Sequence, residues 1–320
     1  MRRVLIPSSG LLLLPAICLL ASGCFLWHAP QADDAMPADA DAGASPALDA
    51  TPSGIDASPG LEGGVTTGMA TIDESATCAN GAERWAVACP DAMIIYVSPH
   101  GRADATGGST DPLASPLHAV ERCGARPCHV RLVAGAYAIG PDSLYGDCLY
   151  VEGGGAVRAD GEWAPFAGTP SALTGNGSND SMISSPNALV VSGVSIESVT
   201  TAISLNRGRL LVVDHVSISG ASSSGVSVSW SSHGARICDT TIVADYSAVS
   251  ISWGSSDVVL DHVDATGGYS GVDVSWSSHD VSIRDSTIRG GYEGLGVNQG
   301  AYDVQLKGSV VITTGDYHEP

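Results

Sequence analysis

The C-terminal half of the chain repeats itself every 23 residues, and that period constrains the fold more than any other feature. Four segments align without a gap. They are GVSVSWSSHGARICDTTI from Gly225, AVSISWGSSDVVLDHVDA from Ala248, GVDVSWSSHDVSIRDSTI from Gly271 and GLGVNQGAYDVQLKGSVV from Gly294. AISLNRGRLLVVDHVSI from Ala202 fits one turn earlier with one residue fewer, and NALVVSGVSI from Asn187 fits the turn before that. Within each repeat the apolar residues alternate, as in a strand with one buried face.

The alternation defines columns. Ile203, Val226, Val249, Val272 and Leu295 form one, and Leu205, Val228, Ile251, Val274 and Val297 the next. A second strand contributes Ala235, Val258, Val281 and Val304, then Ile237, Leu260, Ile283 and Leu306. A third contributes Ile242, Ala265, Ile288 and Val311. A flat sheet cannot return three strands to the same columns every repeat, whereas a three-strand coil stacked on the coil below at about 4.8 Å can. Abundant Ser, Thr, Val and Gly exclude a helical solenoid. Asp239, His262, Asp285 and Gly308 fall where the second strand meets the third. All are residue types that tolerate a left-handed bend, so this Asp/His pattern is read as turns and not as catalysis.

Upstream, IIYVSPHGRADATGGSTDPLASPLHAVERC runs from Ile94 to Cys123 and is followed by VRLVAGAYAI and SLYGDCLYVEGG. This stretch resembles the opening module of bacterial right-handed parallel β-helix proteins of the pectin lyase-like superfamily. The resemblance covers Ile94 to about Thr314. It implies an all-β, right-handed parallel β-helix of three-strand coils, with a short N-terminal capping helix. Ser115 is expected to cap that helix, with Pro116 in its first turn and Leu117 and Val120 sharing a face.

Three divisions follow. Residues 1–24 read as a targeting segment, with Arg2 and Arg3, an apolar run from Leu11 to Leu20, and Ala21-Ser22-Gly23-Cys24. The last four resemble a bacterial lipoprotein signal, in which Cys24 carries the lipid. Phe25 in place of aspartate points to the outer membrane or cell surface of a Gram-negative bacterium. Residues 25–77 read as a disordered Ala/Asp/Pro/Ser linker. Its Gln31–Thr77 stretch carries nine acids and no Lys or Arg. As a flexible coil, about fifty residues reach roughly 40 Å. Residues 78–320 are the β-helix domain, with the clearest rungs at 187–314. The net charge of −20 argues against nucleic-acid binding. The expected partners are the membrane, through the lipid, and a polysaccharide.

An exported chain meets an oxidising compartment. Cys78 with Cys89, and Cys123 with Cys128, are close enough in sequence to close small loops, although spacing alone leaves connectivity open. No CxxC or Cys/His cluster has zinc spacing, so no metal site or cofactor is expected.

Enzymes of the superfamily that cut acidic polysaccharides hold Ca²⁺ with stacked carboxylates and use an Arg or Lys as base. The nearest pattern is Asp257, Asp280 and Asp303 beside Asp261, Arg284 and Lys307, and periodic turns generate such columns without any chemistry. Two aromatic columns recur at the same period: Trp230, Trp253 and Trp276, and Tyr246, Tyr269 and Tyr292. Facing outward, they are candidates to bind sugar rings. Trp230 continues the inward phase of Val226 and Val228, however, which favours a place in the core or a turn and leaves the outer face of the third strand to search. The leading expectation is a non-enzymatic surface protein that binds glycan or serves as a scaffold. The alternatives are a polysaccharide lyase, hydrolase or epimerase, with Ca²⁺ in the lyase case, and a purely structural envelope component.

Overall fold

The computed structural model describes residues 78–315, apart from 166, 167 and 179. Cys24 and the linker therefore lie outside the described residues. Among these residues no helix is long and apolar enough to cross a membrane. The chain winds as a right-handed parallel β-solenoid. One ten-stranded sheet forms the second face of the coil, and a thirteen-stranded sheet bends around the first and third faces. The bend is continuous early on, where Val194–Asn206 and Ser217–Ser229 each run through the corner between faces.

The register follows the sequence columns. On the first face Val226 opposes Val249, which opposes Val272, which opposes Leu295. On the second, Ala235, Val258, Val281 and Val304 oppose one another in turn. On the third, Ile242, Ala265, Ile288 and Val311 do so. Val228, Ile251 and Val274 are fully buried, one above another. Val, Ile, Leu and Ala side chains fill a narrow core, as a solenoid of short strands requires.

The bends take the left-handed backbone expected of them. Asp239, His262, Asp285 and Gly308 have φ of 46°, 54°, 44° and 64°. The helix Pro116–Cys123 (α2) has Pro116 in its first turn and buries Ala119 and Cys123 against the first rungs of the core. Ser115 stands at its N-cap without a side-chain hydrogen bond to the helix.

A second helix, Gly81–Ala88 (α1), has no counterpart in the sequence reading. It lies on the outside of the second face. Trp85 is buried there with Cys78, Cys89, Val190, Leu210 and Val212 in a small core of its own. A side chain at Gly81 would collide with Val212, so glycine sets the close approach. Both ends of α1 are tied to the sheet, by Cys78–Cys238 and Cys89–Cys148. The expected Cys78–Cys89 pairing is therefore wrong: the helix holds its flanking cysteines apart and presents each to an outward-facing strand cysteine. Cys123–Cys128 pairs as expected, closing the loop after α2.

Candidate functional site

The two aromatic columns are the structural feature that most resembles a site. Trp230, Trp253 and Trp276 are 49%, 43% and 45% exposed, so of the two places expected for them, core or turn, the core is overturned and the turn holds. The cause is local. Each Trp adopts a left-handed φ, between 53° and 59°, at the turn between the first and second faces. That turn ends the alternation one residue early and swings the ring outward. Bulky residues seldom adopt this conformation, and it costs on the order of 1–3 kcal/mol each. The turn closes on buried serines: Ser255 Oγ donates to the Ser252 carbonyl at 2.7 Å and Ser278 Oγ accepts from the Ser255 amide at 3.2 Å.

At the opposite edge of the first face, Tyr246, Tyr269 and Tyr292 stack with centroids 4.9 and 4.8 Å apart. The Trp rings stack at 5.0 and 4.6 Å and lie 4° from parallel. Rings stacked this closely cover one another's faces, so each ladder presents mainly edges. The ends differ. Arg207 sits over Trp230, 5.6 Å from the ring centroid. Beyond Trp276 the next rung carries Gln299 in the tryptophan's turn position, so that end of the ladder has no further ring.

Between the ladders lies a groove of about 530 Å³, lined by Tyr246, Tyr269, Tyr292, Trp276, Gln299 and a polar floor. The floor includes Asp273, Ser275, Glu293 and Asn298. By register Glu293 takes the place that Ser247 and Ser270 hold in the rungs below. Its carboxylate lies over Gly296, where any side chain would collide with it, and Gly296 is the register partner of Asp273. Ser270 Oγ donates to Glu293 at 3.1 Å and Asn298 Nδ2 approaches the same oxygen at 3.4 Å. Ser275 Oγ donates to Asp273 at 3.0 Å. Burial pushes the Asp273 carboxyl above the usual aspartate range, and the nearby Glu293 charge adds to it against the hydrogen bonds from Ser275 and Asn298. Sequence reading found the aromatics and missed Asp273, Glu293 and Asn298, because none of the three recurs from rung to rung.

The other predicted columns do not converge. Asp257, Asp280 and Asp303 stand at or just before the start of the second-face strands with left-handed φ near 53°, while Asp261, Arg284 and Lys307 stand at the ends of those strands. A strand's length therefore separates the two sets. Asp257 is bound by the buried Arg236 guanidinium at 2.9 Å, and Asp280 by His279 Nδ1 at 2.9 Å. The third face carries a smaller groove of about 390 Å³, floored by glycines such as Gly267 and Gly290 and bordered by Arg289. Two bend clusters, Asp214/His215/Asp239 and Asp261/His262/Asp285, bring donor atoms of metal-ligand type within 4.8 Å of one another.

On the second face of the opening rungs, Glu152 accepts from Arg131 Nε at 3.1 Å and Trp163 Nε1 at 3.0 Å, and His129 Nε2 lies 2.9 Å away. The Arg131 guanidinium lies 5.7 and 5.6 Å from the centroids of Tyr96 and Trp163, whose rings meet edge to face. The Glu152 carboxylate is satisfied within the cluster, which reads as packing.

No curated protein matches the chain. A rhamnogalacturonan lyase structure is similar over 67% of this chain at 10% identity and a TM-score of 0.46, and the chain spans 62% of that structure's length. The A-module of the Azotobacter vinelandii mannuronan C-5 epimerase AlgE6 is similar over 66% of this chain and 74% of its own, at 14% identity and a TM-score of 0.35. Likenesses at this level say nothing of activity. Residues 142–288 match the family model described as a right handed beta helix region, the architecture into which these rungs wind.

Proposed function

We propose that this chain is a surface-tethered glycan-binding protein, and that the groove between the aromatic ladders holds the sugar. In this reading Cys24 carries a lipid in the outer membrane of a Gram-negative bacterium, and residues 25–77 space the solenoid from it. One observation carries the proposal: the Trp276 end of the ladder, facing a polar-floored groove walled by tyrosines. Sugar rings present flat C–H faces to aromatics and hydroxyls to carboxylates and amides, and this groove offers both. Three bulky residues held in a left-handed backbone support a functional reason for keeping them. The lyase alternative is less supported, because the acidic and basic columns it needs stand at opposite ends of the second-face strands.

Retention of soluble glycans in affinity electrophoresis tests the reading. Trp276→Ala should weaken retention about tenfold, whereas Trp230→Ala, at the Arg207 end, should leave it within about twofold. Both variants should melt within about 1 kcal/mol of wild type, since their rings are half exposed. Equal losses from the two substitutions, or no retention of any glycan, would remove the groove from the account.

A further inference from the structure

We propose that the groove selects a glycan bearing protonated amines, a polymer of de-N-acetylated amino sugars, over neutral or acidic ones. The inference rests on the glycan reading above and concerns the charge of the ligand. Most other carboxylates of the rungs that make close contacts have a cation or a histidine beside them: Asp257 has Arg236, Asp264 has Arg289, and Asp261 and Asp280 have His262 and His279. Asp273 and Glu293 differ. Their hydrogen-bond partners are neutral, namely Ser275 and Asn298 for the first and Ser270 and Asn298 for the second. Among the described residues no Lys, Arg or His lines the groove.

Asp273 and Glu293, which both take Asn298 as a partner, therefore share a recess with no compensating charge among its described lining. Trp276, Tyr269 and Tyr292 line it, and the face of Trp276 that no further ring of its ladder covers, beside carboxylates, is the combination that attracts an ammonium group. A uronate in the same position would meet like charge at a partly desolvated site. An ammonium supplies the charge the pair lacks, while the rest of its ring packs on the aromatic wall.

Calorimetry on the full chain separates the possibilities, with a glucosamine hexamer, the N-acetylated hexamer and a galacturonate oligomer as probes at a mildly acidic pH that keeps the amines charged. The amine hexamer should bind about tenfold more tightly than its acetylated counterpart, with the galacturonate oligomer weakest. Asp273→Asn and Glu293→Gln should each remove most of that preference. They leave the acidic linker intact, so non-specific attraction to the linker is controlled. Equal binding of acetylated and free-amine hexamers would overturn the charge inference and leave glycan binding standing. An amine preference unchanged in both variants would also overturn it, by placing the interaction elsewhere on the chain. Saturable Ca²⁺ binding that both variants abolish, without amine preference, would assign the pair to a divalent cation instead. Binding of none of the three oligomers would defeat the glycan reading together with the inference.

Discussion

The rungs before Ser185 and those after Asn187 build the same core by different means. In the later rungs the steps are 22 to 24 residues at first, and from Ser224 on each strand opposes the residue 23 positions on, so a side chain at one turn position meets its copy in the next rung. Ladders result: tryptophans at one corner, tyrosines at another, buried serines between. In the opening rungs Met93 opposes Cys128, Cys128 opposes Leu149 and Leu149 opposes Leu189, so no two steps are equal. There the turns carry loops of different lengths, no outward ladder of like residues forms, and the second face carries the Arg131–Glu152–His129 cluster, while α1 and its two disulfides span the junction between the regions, from Cys148 to Cys238. The inward faces tolerate both arrangements because apolar side chains of roughly the right volume suffice for the core. Surface chemistry does not, since stacking requires equal spacing.

The largest expected effect ignores the distinction. Val228→Asp places an unpaired carboxylate at a fully buried position of the regular rungs and should cost several kcal/mol. Leu149→Asp should do the same in the opening rungs. Circular-dichroism melting checks both, and a tolerated Asp at either site would mean that the two regions do not share one core.

Next in size is the loss of the α1 ties. Replacing Cys78 and Cys238 with Ala should cost about 2–4 kcal/mol. Exchange protection should vanish first in α1, with the rungs beyond Asp239 retained. If those later rungs lost protection equally, the helix would be part of their stability and the comparison would fail.

The smallest effect is the response to acid, and its sign differs between regions. Burial pushes the Glu152 carboxyl up, but hydrogen bonds from His129 and Trp163 and the nearby positive charge outweigh it, so its native pKa is lowered. Its stabilisation is complete above the ordinary glutamate range and disappears as pH falls through the lowered value. Burial also lowers the His129 pKa, so protonation favours unfolding as pH drops below the ordinary histidine value. Asp273 runs the other way: its raised pKa means that its charge costs stability at neutral pH, and the cost is relieved as pH falls through that value. Mild acid should loosen the opening rungs before the regular ones in hydrogen exchange. Asp273→Asn should hold or raise the melting temperature at neutral pH while weakening ligand retention. A lower melting temperature would mark Asp273 as structural.

Much of this molecule was legible from its columns. Val228 over Ile251 over Val274 follows from alternation and period, because each strand's inward face and its distance to the next rung are properties of local sequence. The left-handed bends at Asp239 and His262 were legible for the same reason: backbone tolerance belongs to the residue itself. What required the tertiary structure was everything decided by a neighbour distant in sequence. Cys78 meets Cys238 because α1 lies across the second face. The tryptophans point outward because a two-residue left-handed turn, closed by buried serines, interrupts the alternation that seemed to bury them. Glu293 becomes a groove residue only because Gly296 leaves room for its carboxylate beside Asp273. The period determined which residues share a column, and the turns, through their backbone angles, decided which of them face the solvent.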